Sequence, residues 1–509
     1  MREVYKWRWI VLSLFFWFIA ISNIPKEFLD LGGDSAQYII LAESLCEGTG
    51  LRAINLPKSP FFYHYPPVFS LFLCPIIYFF GRNFYLMHIL VALLGYLSLF
   101  FLYRIFKKYS GEKQAFFTIV FLVTNWIFIS YSSRYILSDI LYLFCSSLTL
   151  LAASKYLEKD NFLNKYAFFT LFGLVLSYFT RYAGIALFLG VLAVLLLVPR
   201  KQKFKKFSFI FVSFLLVLFL WQFITQVLKP SSLPAYSRQF LRIDPYRPFL
   251  GTLFTQPKYL IIRLIEGVSY YYKVIGRSFF LYFMVRWNFL IVPLSLVSVI
   301  LTSFGLWFKL RENKTCVFHY YFLIYFCLIV FWPYREGSRF ILPILPFIYF
   351  YFFASLKKLL NFLPQKISFV TRYSLLVTLL SSNILSLPTK AFTYQNLPQH
   401  LKNFVSLHYW IKENLPAEGV IISRKPTITY LYTNHKAICY PYTLNPDQIW
   451  DEVLKNDVKY IIVEGKSKEV YYYLLPFLYK YIDELKLLHN IGKIGLYEVI
   501  QQDTLLGSR

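Results

Sequence analysis

Acidic residues are scarce in this 509-residue chain, where 26 Asp and Glu stand against 53 Lys and Arg. Charged residues of both signs amount to only 16%, whereas soluble chains carry about 25%. The chain therefore lacks the polar surface needed to coat itself in water, which excludes a soluble enzyme and a disordered scaffold. Cysteine is equally uninformative as a scaffold element. Cys46, Cys74, Cys145, Cys316, Cys327 and Cys439 show no CxxC and no paired spacing, which argues against a disulfide framework or a zinc site. No internal repeat and no low-complexity tract is found. The first apolar run ends in "FIAISNIPKE", without an A-x-A cleavage site, and reads as a retained anchor rather than a signal peptide.

What is abundant is apolar and aromatic: 57% hydrophobic and 21% aromatic residues, with 55 Phe and 43 Tyr. Stretches of the 17–25 residues that cross a bilayer recur near 8–24, 84–105, 114–131, 135–154, 165–180, 182–199, 207–227, 287–308, 316–333, 340–357 and 367–388. The expectation is an α-helical polytopic membrane protein of about 11 transmembrane helices. The net charge of +27 would by itself suit a nucleic-acid partner. Its distribution suits orientation instead, and no nucleic-acid partner is expected. Segment 104–113, "RIFKKYSGEK", holds four bases and one acid, and 200–206, "RKQKFKK", holds five bases. Further bases lie in 155–165, 309–314 and 357–372. The positive-inside rule puts these loops and the N-terminus in the cytoplasm of an inner or plasma membrane. That alternation holds only if 66–80, "PPVFSLFLCPIIYFF", is an interfacial or re-entrant piece on the outer side, as its 15 residues suggest.

Outer loops are then expected at 25–83 and 228–286, attached to a membrane module spanning 1–388. The second loop breaks the charge bias with nine bases, among them Lys229, Arg247, Arg263 and Arg277. Beyond residue 388 the composition changes, with 14 Lys and Arg nearly balanced by 12 Asp and Glu. In 389–509, "HLKNFVSLHYWIKENLP" and "PDQIWDEVLKN" have helical spacing, while "GVIISR", "ITYLY", "AICY", "KYIIVEG" and "IGLYEVI" read as short strands. This predicts a small extracytoplasmic α/β domain. His400 and His408 fall on one face of its first helix and are expected as solvated surface residues, with no third ligand for a metal.

Ionisable groups at a membrane edge are candidates for function, and the outer side gathers several. Asp34 follows Gly32 and Gly33 and precedes the helical pattern "SAQYIILAESL". A helix N-terminus favours a carboxylate there, although Asp34 or Ser35 could equally be a plain N-cap. His64 lies in "FFYHYPP", Arg134 and Asp139 in "YSSRYILSD", Arg181 in "SYFTRYAG", and Arg335, Glu336 and Arg339 in "WPYREGSRFILPILP". Arg134 could pair with Asp139 and Arg335 with Glu336, and any of the arginines could snorkel to headgroups. One acid among several arginines at an outer lipid–water boundary fits sugar transfer from a lipid-phosphate donor. That reaction needs a base on an acceptor hydroxyl and cations on the departing phosphate.

Together "GGDSAQYIILAESLCEG", "YHYPPVFSLFL", "RYILSDILYLF" and "RFILPILP" resemble the GT-C integral-membrane glycosyltransferases that use polyprenyl-phosphate sugars, such as protein O-mannosyltransferases and lipid A aminoarabinose transferases. The likeness runs from about residue 8 to 350. It implies Asp34 as catalytic base, and Arg134 and Asp139 as the polar pair opening the fourth span. Arg339, with Phe340 where Tyr is common, would bind the donor phosphate. His64 and Tyr65 stand in the family's active-site "KPP" segment, where a charged residue usually leads. Ser35 replaces the second acid that many relatives carry, so neither a metal nor another cofactor is expected. The implied partners are a polyprenyl-phosphate-linked sugar donor, a cell-envelope acceptor (lipid, glycan or protein) and the bilayer itself. Two other classes stay open: a flippase or exporter of lipid-linked saccharide, disfavoured by the absence of repeated halves, and an oligosaccharide polymerase or ligase with a whole glycan as donor.

Overall fold

The computed structural model describes residues 2–197, 202–227, 236–244, 250–362, 364–388, 392–416, 418–465 and 467–500. Arg200, Lys201, Lys229 and Arg247 of the basic segments lie outside these residues. The helices run in order as α1 (Arg2–Asn23), α2 (Asp34–Cys46), α3 (Val68–Phe80), α4 (Phe84–Ser110), α5 (Glu112–Val123), α6 (Trp126–Ser133), α7 (Ser138–Glu158), α8 (Lys165–Thr180), α9 (Ile185–Leu197) and α10 (Lys203–Val227). They continue as α11 (Tyr236–Leu241), α12 (Lys258–Arg286), α13 (Ile291–Glu312), α14 (Val317–Phe331), α15 (Ser338–Ile341), α16 (Leu345–Leu360) and α17 (Gln365–Leu385).

Each apolar segment expected to cross the bilayer falls on a helix. Among the described residues five helices are long and apolar enough to cross on their own: α4, α7, α10, α13 with its lead-in from Asn288, and Ser338–Leu360, which joins α15 to α16. A sixth is α5 with α6, bent by 60°. The bend has a local cause. Asn125 leaves the helical conformation, its side chain accepts from the Ile127 amide at 3.0 Å, and its amide group donates to the Ser278 carbonyl at 2.7 Å. The remaining segments, in α1, α8, α9, α14 and α17, are shorter apolar helices. So is α3, whose Pro75 and exposed Tyr78, Phe79 and Phe80 accord with a piece too short to span.

The stretch 228–286, expected as a loop, contains α12, 29 residues long with a kink at Phe280, where φ −130° and ψ 29° leave the helical conformation. Its bases Lys258, Arg263, Lys273, Arg277 and Arg286 interrupt the apolar pattern and conceal it from a hydropathy reading. The C-terminal half of α12 is part of the bundle. Gly276 lies so close to Ser295 of α13 that a side chain would not fit, and Phe279 packs on Phe121 and Phe352.

The tail is a mixed sheet with helices. Its strands β1 (Val420–Ile422), β2 (Ala437–Ile438), β3 (Val458–Glu464), β4 (Leu485–Ile491) and β5 (Ile494–Val499) are ordered β2-β1-β3-β5-β4. β1 is parallel to β2 and β3, and β5 is antiparallel to β3 and β4. Helices α18 (Gln399–Asn414), α19 (Pro426–Thr433) and α20 (Pro446–Lys455) accompany it. Two readings of the tail need correction. "ITYLY" is helical, within α19, because Pro426 at its first turn presets φ and Asn434 ends it in the left-handed conformation at φ 63°. The run of β-branched and aromatic residues imitated a strand. His408 is not a surface residue: it is fully buried, bonded to the Phe404 carbonyl at 2.7 Å and to Thr429 Oγ1 at 3.0 Å, and burial pushes its pKa down to about 4. His400 is exposed.

Candidate active site

The ionisable groups that the sequence singles out lie where helices start or break. Gly33, at φ 103°, caps α2 without any side-chain bond, so neither Asp34 nor Ser35 is the cap. That turn leaves the Asp34 carboxylate free to reach outward. Tyr65 donates to its Oδ1 at 2.6 Å and Arg339 Nη1 to its Oδ2 at 2.5 Å. Arg339 stands just after Gly337, whose φ of 61° starts α15. Arg181 occupies the break between α8 and α9 in an extended conformation. Asp139, in the first turn of α7, has no exposed surface; it accepts from Arg181 at Oδ1 and from Arg339 Nε at 3.1 Å at Oδ2. Arg339 thus forks between two carboxylates, a geometry a planar guanidinium supplies and an ammonium does not. Glu336 adds a third acid 3.9 Å from Arg339 Nη1.

All of these groups but Asp139 open onto a cavity of about 640 Å³, walled on its apolar side by Phe240 of α11, Leu328 and Ile329 of α14, and Trp332. Asp34, His64, Tyr65, Arg181, Glu336 and Arg339 all line it. Burial works to raise the Asp34 carboxyl, but the Arg339 charge, the Tyr65 hydroxyl and the Arg181 charge outweigh it and hold it below the usual carboxylate value. Burial lowers His64 to about 4 against the opposing pull of Asp34. His64 is therefore neutral at neutral pH.

Two of the expected residues face elsewhere. Arg134 does not meet Asp139; it donates to Asn23 Oδ1 at 2.6 Å and lies over the Phe392 ring. Arg335 does not pair with Glu336; it donates to the carbonyls of Val330 and Arg263, each at 3.1 Å, and to that of Trp332. Sequence reasoning missed Asp30, four residues before Asp34 and buried. Its Oδ1 accepts from the Gly32 amide at 3.1 Å and its Oδ2 from Ser35 Oγ. The spacing D-x-G-G-D, in which a short acid can bond the amide two residues on, was the available signal. Among the described residues, no three His, Cys, Asp or Glu side chains gather as metal ligands would.

Comparison with known proteins extends the picture. The family profile described as "Dolichyl-phosphate-mannose-protein mannosyltransferase" matches residues 64–225. No curated protein matches by sequence. Among solved structures, ArnT from Cupriavidus metallidurans bound to undecaprenyl phosphate aligns with a TM-score of 0.55 at 13% identity, covering 97% of this chain and 98% of that one. The Archaeoglobus fulgidus oligosaccharyltransferase AglB, with an inhibitory peptide and a dolichol-phosphate, aligns with a TM-score of 0.56 at 13% identity, covering 98% and 75%. The chain has the GT-C fold. In GT-C terms the likeness to ArnT spans both the helical bundle and the tail, since nearly the whole of each chain is covered.

Proposed function

We propose that this chain is a polyprenyl-phosphate-dependent membrane glycosyltransferase. It moves one sugar from a polyprenyl-phosphate donor to a hydroxyl of a cell-envelope acceptor on the outer face, with the N-terminus and basic loops cytoplasmic and the tail outside. The observation that carries this reading is the Asp34–Arg339–Asp139–Arg181 chain on a cavity with one apolar wall. Such a cavity accommodates a lipid chain beside ionic groups. The ArnT structure contains undecaprenyl phosphate and the AglB structure a dolichol-phosphate, which supports the same donor class here.

In the proposed step Asp34 accepts the proton of the acceptor hydroxyl as its oxygen bonds to the anomeric carbon. The bond from that carbon to the phosphate oxygen breaks, and the lipid phosphate leaves with the electron pair, inverting the sugar. Arg181 and Arg339 face the cavity to receive that phosphate charge. Arg339 also weakens Asp34 as a base while it is bound to it. A phosphate that engages the same guanidinium competes for it and returns basicity to Asp34, so donor binding readies the base.

The test is transfer by Asp34→Asn in membranes, from a panel of undecaprenyl-phosphate-linked hexoses and pentoses, with protein amount matched. Turnover is expected to fall by roughly 10²–10⁴-fold, the scale of a lost general base. Near-wild-type turnover would remove Asp34 from the mechanism.

A further inference from the structure

The first outer loop does not hold Asp34 by itself. Counting back from the carboxylate, three consecutive supports come from the tail, about 400 residues away in sequence. Thr427 Oγ1 donates to the Gly33 carbonyl at 3.3 Å, Lys425 Nζ donates to the Leu31 carbonyl, and the Tyr432 hydroxyl donates to the Phe28 carbonyl. Lys425 and Thr427 sit at the start of α19, Tyr432 near its end. The other end of α2 is tied to the same helix. Glu43 is bonded by Arg82, whose Nη1 also donates to Asn434 Oδ1 at 2.7 Å and to the Leu431 carbonyl at 3.3 Å. The loop's own contribution is the Asp30 turn onto Gly32 and Ser35.

Lys425 is the informative member. Burial and the neighbouring Arg424 lower its pKa, while Glu464 and Asp30 oppose them. A half-buried ammonium beside another cation is costly to keep, yet its bond is spent on one carbonyl three residues before Asp34. A charged donor makes a stronger bond to a carbonyl than a neutral hydroxyl does, so of the three tail supports Lys425 holds the loop most firmly.

We propose that Lys425, with Thr427 beside it, is a positioning residue for the Asp34 carboxylate, so that the tail belongs to the catalytic unit. The inference rests on the reading of Asp34 as the base. Through the Leu31 and Gly33 carbonyls, α19 sets where α2 begins and hence the reach of Asp34 to Arg339, Tyr65 and an incoming hydroxyl.

The experiment uses the full chain in detergent, with two readouts per folded molecule. These are affinity for undecaprenyl phosphate and turnover on the panel of undecaprenyl-phosphate-linked sugars. Lys425→Met is expected to lower turnover about 10–100-fold, the cost of a misplaced reacting group, with affinity changed less than about twofold. Lys425→Arg, which keeps a cationic donor, should recover to within about threefold of wild type, and Thr427→Val should lose only about threefold. If Lys425→Met lowers yield while turnover per folded molecule stays at the wild-type value, Lys425 only stabilises the fold and the proposal is overturned. Equal loss of affinity and turnover overturns it too, since the whole cavity would then have collapsed. Asp34→Asn in the same assay separates the two readings. An active Asp34→Asn removes the base and this inference with it, whereas an inactive Asp34→Asn beside a fully active Lys425→Met sinks the inference alone.

Discussion

Helix α7 carries Asp139 in its first turn, with no exposed side-chain surface and two arginine partners, and ends with Glu158, half exposed and paired with Lys108. The same charge type on one helix therefore does two different jobs. Next to Lys108, at the end of α4, Lys309 of α13 meets the Tyr109 carbonyl and Glu312. The Lys108–Glu158 pair lies in water, where an ion pair contributes about 0–1 kcal/mol. Around Asp139 the charges are desolvated, and each depends on the others for compensation. The sharpest way to break the contrast is Asp139→Asn. It strands Arg181, whose side chain is 13% exposed, and leaves Arg339 with Asp34 and Glu336 alone. We expect a loss of about 3–5 kcal/mol in stability, the range for removing one partner of a buried pair. Thermal unfolding in detergent measures it; an unchanged midpoint would mean that solvent reaches the pair freely.

A smaller effect tests the sign of the coupling. The Asp34 carboxyl is held below its ordinary value chiefly by Arg339, acting against burial. Its share of stability is therefore complete above the ordinary carboxylate pKa and fades as pH falls through the depressed one. In activity, the acid limb of kcat/KM should lie below the usual carboxylate range in the wild-type chain. Arg339→Gln leaves burial unopposed by its largest counterweight, so the limb should move to higher pH. Turnover at neutral pH should fall by about 10²-fold from the lost phosphate contact. A limb that stays put, or moves to lower pH, would show that Arg339 does not govern Asp34.

How much of this was legible beforehand follows the same division. Charge asymmetry and apolar runs report solvent-level effects, and they located each apolar helix and the tail's first and third helices, α18 and α20. They failed where a residue's environment is made by distant chain. Nothing local tells that Asp139 faces Arg181 and Arg339 rather than Arg134, its neighbour five residues away, because three separate helix breaks converge there. The place of Asp34 at the start of α2 was readable because its cause is local: the glycine turn and the helix it opens. Lys425 was not, because its partner is a backbone carbonyl, which leaves no residue-type signature. His408 misled for a related reason, since helical periodicity gives a face but not what α19 lays over it. The helix α12 was hidden by its own bases, which hydropathy counts against burial wherever their charged ends go.

The smallest effect is the one that keeps the comparison honest. Lys108→Gln removes the partner of Glu158 at the exposed end of α7, where the two side chains are 40% and 53% accessible. Water and salt already screen that pair, and its long side chains lose rotamer freedom to meet. The expected change in unfolding midpoint corresponds to no more than about 0.5 kcal/mol, with turnover unaltered. Raising the salt concentration should erase even that difference, whereas it should leave the Asp139→Asn defect largely in place, because Asp139 has no exposed surface for ions to screen. If Lys108→Gln proved as damaging as Asp139→Asn, the two ends of α7 would not differ in solvation. The claim that the Asp139 cluster is set apart from the ordinary surface charges of a +27 chain would then have to be withdrawn.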